Sequence, residues 1–116
     1  MIIGRFHEHA DGTYIGTLRS LFLRADKILF EPIAPDAQAA RGPDFRIYTS
    51  DEIEIGAAWS RMSKDGALYL DVTLDDPSFA QPVQTRLVQA RKGTGFILIW
   101  ERKAASQTRR ARRSGA

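Results

Sequence analysis

The sequence predicts a mainly β chain. Residues 1–101 form a single small antiparallel domain, built as a sheet, a barrel-like closure or a sandwich, and residues 102–116 form a disordered basic tail. Three observations predict this. Apolar residues recur with period two rather than with the helical period. Compact turn signals separate the alternating runs. After Lys103 no apolar residue is larger than alanine, so that segment has nothing to bury against its ordering entropy.

The chain of 116 residues has the size of one domain, and 43% hydrophobic with 27% charged residues is a globular balance. The first run, Ile2–Glu8, is followed by Asp11-Gly12, a strong hairpin signal, and then by Thr13–Leu23, rich in β-branched and aromatic residues. Pro32 to Pro43 carries three prolines that cannot donate ladder hydrogen bonds and reads as a surface loop, with Asp36–Arg41 long enough for one helical turn. Phe45–Thr49 alternates. Glu52–Ser60 alternates most clearly, with Ile53, Ile55, Ala57 and Trp59 on one face; these are read as the core face. Lys64-Asp65-Gly66 reads as a hairpin turn into Leu68–Asp75, where Leu68, Leu70, Val72 and Leu74 align. Asp75-Asp76-Pro77-Ser78 reads as a turn, because Asp side chains bond the backbone two residues on. Arg91 to Gly95 separates Val83–Gln89 from Phe96–Glu101, in which Phe96, Leu98 and Trp100 share a core face. There is no internal repeat.

Several chemistries are excluded or weakened. With no cysteine there are no disulfides, thiolate nucleophiles or Zn-finger spacings. The longest clean apolar run, Phe96 to Trp100, is far too short to span a bilayer. Met1 to Arg5 lacks the pattern of a signal peptide, which places the expected location in the cytoplasm. His7 and His9 share a strand face but have no third ligand in sequence reach. Glu52 and Glu54 read as the solvent side of a strand. There is no Ser–His–Asp spacing and no glycine-rich phosphate loop, and Gly93-Thr94-Gly95 is too short for a dinucleotide fingerprint. No catalytic, cofactor-binding or metal residue is assigned, and no enzyme activity is expected.

The charge distribution carries the functional signal. Residues 1–101 hold eleven Lys/Arg against fourteen Asp/Glu, a net of −3, whereas residues 102–116 hold six cations and no acid. Arg102, Lys103, Arg109, Arg110, Arg112 and Arg113 can neutralise several phosphates and release counterions. On the domain, Tyr48 and Tyr69 fall on the polar faces of their strands, beside Arg46 and Asp71; such tyrosines can stack bases, and β propensity also accounts for them.

Some strings also resemble a known family. They are Met1-Ile2-Ile3-Gly4 with Phe6, Asp11-Gly12-Thr13-Tyr14 with Gly16-Thr17-Leu18-Arg19, Pro43-Asp44-Phe45-Arg46, Glu54-Ile55-Gly56-Ala57-Ala58-Trp59, Tyr69-Leu70, Leu74-Asp75-Asp76-Pro77-Ser78-Phe79, and Ile99-Trp100. In this order they resemble the bacterial domain of unknown function DUF736 over about residues 1–101; the basic tail lies outside the resemblance. The family has no established activity and no catalytic residues to carry over. Its frequent place on plasmids and integrative elements of Proteobacteria, near conjugation genes, implies a DNA-linked role.

The sequence therefore leads to a non-enzymatic accessory protein that makes weak, sequence-independent nucleic-acid contacts through the tail, aided by the Arg46, Tyr48 and Tyr69 face. The rival is a protein–protein or self-association module that uses a sheet edge or an apolar face. A small hydrolase or ligand-binding barrel is a third reading.

Overall fold

The computed structural model describes residues 1–20, 24–34, 41–91 and 93–101. Within them eight strands follow one another: β1 (Ile2–Glu8), β2 (Tyr14–Arg19), β3 (Arg24–Pro32), β4 (Phe45–Thr49), β5 (Glu54–Met62), β6 (Leu68–Leu74), β7 (Val83–Gln89) and β8 (Phe96–Ile99). Each pairs antiparallel with the next, and β8 returns to β1, closing an up-and-down barrel. No described residue is helical. Each of the eight strands has a ladder neighbour on both sides.

The turns form where the sequence places them. Gly12, Gly66 and Gly93 all have positive φ, the region that favours glycine. Asp11 accepts a hydrogen bond from the Thr13 amide at 3.0 Å, and Ser63 and Ala67 close the β5–β6 hairpin at 2.8 Å. The alternating run that begins at Thr13 ends as β2 at Arg19. β3 is an additional strand, and Pro32 ends it rather than opening a loop. The expected helical turn at 36–41 and the expected disorder of 102–116 lie outside the described residues, apart from Arg41 itself.

Residues facing each other across a ladder share a face, so the register sorts the barrel into inside and outside. The inside holds Phe6, Leu18, Ile28, Phe30, Ile47, Ala58, Val72, Leu74, Leu87 and Leu98, all essentially inaccessible. Phe6 and Phe30 pack edge to face with centroids 5.0 Å apart, and Tyr14 bridges Phe30, Phe45 and Phe96 in the same way. Thr85 is the buried polar side chain among the described residues, and its hydroxyl donates to the Val72 carbonyl at 3.2 Å. Large rings need small neighbours. A Cβ on Gly16 would lie 2.1 Å from the Arg5 carbonyl oxygen and 2.5 Å from the Phe6 ring, so only glycine lets β1 and β2 approach there.

The two ends of the barrel differ. At the end where β6 turns into β7, Asp76 accepts from both the amide and the hydroxyl of Ser78, and Phe79, Val83, Ile55 and Trp100 pack against the core. Among the described residues the opposite end, where Tyr14, Phe30, Phe45 and Phe96 cluster, is the more open one, with a cleft lined by Glu8, Leu68 and Gln89.

One expectation about the core is reversed. Trp59 is not a core residue. The inward position of β5 belongs to Ala58, fully buried opposite Val72, while Trp59 stands half-buried opposite Asp71 on the outer wall. Ile53, expected on the same core face, is 55% exposed. Gly56 and Ala58 are the inward positions of β5, and β6 approaches closely there: a Cβ on Gly56 would lie 2.2 Å from the Thr73 carbonyl oxygen. Leu70, Val72 and Leu74 are buried as the alternation of β6 implies, but Leu68 is 59% exposed.

Candidate nucleic-acid interface

Alternation on β5, β6 and β7 builds one outer-wall patch. In the register, Trp59, Asp71, Arg86 and Ile99 form a continuous row across β5 to β8, and Arg61 and Tyr69 face each other one row nearer the open end. The Trp59 indole N–H donates to the Arg41 carbonyl at 3.3 Å, which fixes the ring against the chain leading into β4. Arg61 reaches Asp71 at 3.9 Å, and Arg86 pairs with Glu101. All four partners are about half exposed, so each pair adds at most about 1 kcal/mol and serves chiefly to hold the side chains in place. Between them lies a shallow cleft of about 510 Å³, lined by Tyr69, Asp71, Gln84, Thr85, Arg86, Ile99 and Glu101.

Glu101 has a second consequence. It is the last described residue, it lies on this patch, and the next residue in sequence is Arg102. Arg102, Lys103, Arg109, Arg110, Arg112 and Arg113 themselves lie outside the described residues.

The expected grouping of Arg46, Tyr48 and Tyr69 does not form. All three face outward, but Tyr48 stands opposite Glu54 and Tyr69 opposite Arg61. Seven residues of β5 separate those positions, about 23 Å at strand rise. Arg46 bonds Glu54 at 3.2 Å, which offsets its charge. Tyr69 therefore belongs to the patch; Arg46, opposite Ala57 and so two residues from Trp59 along β5, lies at its margin, and Tyr48 lies apart from it. Arg61 and Arg86 belong to it without having been singled out, and so does Trp59, which alternation alone assigns to the core. The signal was present in the spacing, since Trp59 and Arg61 are two residues apart on one strand and a charged Arg61 marks that face as outer.

The other candidates resolve simply. His7 and His9 are both exposed on β1 and its continuation. Among the described residues no three His, Asp or Glu side chains converge as metal ligands. Hydrogen bonding holds the carboxyls of Asp11 and Asp76 below their ordinary range, chiefly from the Thr13 backbone amide and the Ser78 hydroxyl respectively. Burial raises Tyr14, and the Glu8 charge and a hydrogen bond with Glu8 add to it. No described helix is long and apolar enough to cross a membrane.

The fold defines a closed eight-stranded antiparallel barrel that carries an outer patch of aromatic and ion-paired side chains. A family model, described as a protein of unknown function (DUF736), matches residues 2–103, and the chain belongs to that family. No curated protein and no solved structure matches it.

Proposed function

We propose that this barrel is a non-enzymatic accessory protein that contacts nucleic acid without sequence preference. The basic segment Arg102–Arg113 supplies the charge, and the outer-wall patch supplies stacking surface. The observation that carries the reading is that Glu101, which precedes the six-cation stretch in sequence, lines the same cleft as Tyr69 and Arg86, next to the row of Trp59. Cations close in sequence to outward, half-buried rings combine the two parts of single-strand binding: phosphates are neutralised and bases stack on any π face. The net charge of −3 on residues 1–101 makes the barrel alone a poor polyanion binder, so the segment must drive association. The frequent place of the family on mobile elements supports a DNA-linked setting, in the reducing cytoplasm.

The test is a salt titration of the full chain on single- and double-stranded oligonucleotides, repeated on a chain with the six cations changed to Gln. Counterion release from six contacts predicts log K against log salt no steeper than about −5 on duplex and about −4 on single strands. The neutralised chain should lose binding. Equal binding by both chains would refute the role of the segment. Absence of binding at low salt would leave a protein-docking or self-association role on an apolar face, such as Ile2, Ile97 and Ile99 on β1 and β8, as the better account.

A further inference from the structure

The chain holds two Asp-Gly pairs, Asp11-Gly12 and Asp65-Gly66, and each sits in a hairpin turn. An aspartate followed by glycine is open to one intramolecular reaction, because glycine has no side chain to shield its amide nitrogen from the aspartate carboxyl. In both turns the glycine has positive φ, and its amide donates to a backbone carbonyl: Gly12 to His9 at 2.9 Å, Gly66 to Ser63 at 3.0 Å. The two nitrogens are therefore held alike. The two carboxyls are not.

The Asp11 carboxyl accepts the Thr13 amide at 3.0 Å, which turns it away from the Gly12 nitrogen and favours its ionised form. Pro32 covers that turn, its Cγ lying 3.6 Å from where a Cβ on Gly12 would be. Tyr14, at the foot of the turn, is laddered on its far side to Phe30. Asp65 differs in each respect. Its carboxyl has no hydrogen-bond or ion-pair partner among the described residues. Asp65 and Gly66 are both exposed, and nothing lies within 4 Å of a Cβ on Gly66. Ladder pairing of β5 with β4 ends at Ala58, and that of β6 with β7 ends at Leu70. Beyond them Arg61 pairs only with Tyr69, and Met62 only with Leu68. A hairpin tip without a third strand beside it opens locally more often than one that has it.

We infer that Asp65 is a modification site, at which the folded protein converts aspartate to isoaspartate while Asp11 stays protected. The Gly66 amide nitrogen loses its proton and bonds the Asp65 Cγ. One carboxyl oxygen leaves as water, and a succinimide ring remains. Water then adds to one of the two imide carbonyls. Breaking the bond from nitrogen to Cγ restores aspartate. Breaking the bond from nitrogen to the former backbone carbonyl gives isoaspartate, with the chain running through the side-chain carbons. One water leaves and one returns, so no oxidant or other reactant is needed. The product lengthens the main chain by one methylene inside a turn closed by the Ser63 amide on the Ala67 carbonyl at 2.8 Å and by the Ala67 amide on the Ser63 hydroxyl at 3.1 Å. This site is independent of the proposed nucleic-acid role.

The experiment incubates the full chain in heavy-oxygen water at mildly acidic pH, once folded and once in denaturant. Proteolytic peptides are then separated by chromatography and weighed by mass spectrometry. In the folded chain the Asp65 peptide should gain one heavy oxygen and split into two isomers. The Asp11 peptide should gain it about tenfold more slowly, the weight of one hydrogen bond to a charged group. In denaturant the two should label at similar rates. Asp65→Glu, at an exposed turn position, should abolish the label there, because the longer side chain closes its imide far more slowly. No label at Asp65 in the folded chain, label at Asp11 as fast as at Asp65, a gap of the same size in denaturant, or label at that turn surviving Asp65→Glu would each overturn the inference.

Discussion

Tyr69 stands directly opposite Arg61 in the β5–β6 ladder, which puts a phenol ring and a guanidinium side by side on the outer wall, one row from Trp59 and Asp71. Rings on an outer wall cost little when removed, and rings inside a barrel cost much. That difference separates the residues that hold the fold from those free to meet a partner.

Trp59→Ala should therefore lower stability by only about 1–2 kcal/mol, the loss of half a ring's burial and one hydrogen bond to Arg41. Phe30→Ala should cost about 3–5 kcal/mol, because Phe30 is fully enclosed and touches Phe6 and Tyr14. Denaturant unfolding of the two variants checks the ranking; equal losses would return Trp59 to the core.

Gly16→Ala should destabilise by about 1–3 kcal/mol although it adds one methyl group, because the Cβ would enter the Arg5 carbonyl and the Phe6 ring. Gly66→Ala tests a different cause: nothing lies near its Cβ, so the cost there comes from its positive φ alone. A thermal melt of Gly16→Ala that matches the parent would mean that β1 and β2 are farther apart than described.

The pH dependence has two limbs. Asp11 and Asp76 have lowered folded pKa values, so their contribution is present above the unfolded value near about 3.9 and is lost as pH falls through the folded values. Stability should decline on acidification below about pH 4, and Asp11→Asn with Asp76→Asn should flatten that decline. Tyr14 is raised, first by burial, so its contribution is present below about pH 10 and is lost as pH rises through the folded value. Tyr14→Phe should remove the alkaline loss. Melting temperatures from acid to alkaline pH read both limbs.

Much of the fold was legible locally. The runs Ile2–Glu8 and Val83–Gln89 matched β1 and β7, Asp11-Gly12 marked the β1–β2 hairpin and Lys64-Asp65-Gly66 the β5–β6 hairpin. Three features were not. β3 is short of alternation at its start, where Ala25, Asp26 and Lys27 break the pattern, and it ends in a proline that suggests a loop. On β5, Ala57 and Trp59 read as enclosed because period two defines two faces without saying which one is inside; Ala58 is inside and Trp59 outside, while Ile55, at the register shift, does pack against the core. Barrel closure depends on Ile2 meeting Ile99, a pairing across nearly the whole chain with no local signature. The same limit applies to the site. Tyr69 was legible as outward-facing, but its separation from Tyr48 and its nearness to Trp59 follow from strand order.

Stacking on the patch should be measurable independently of charge. Tyr69→Ala should weaken single-strand binding about tenfold with an unchanged salt slope, since base stacking is worth about 1–3 kcal/mol and involves no counterion. Tyr48→Ala, on the distant part of the wall, should have no effect.

The most direct test of the interface is amide shift mapping of a short single-stranded oligonucleotide on the full chain. The proposal predicts shifts at Trp59, its indole N–H, Arg61, Tyr69 and Arg86, continuing through Glu101 into residues 102–113. Shifts centred on Arg46 and Tyr48, shifts confined to 102–113 with the wall silent, or no shifts at low salt would contradict it.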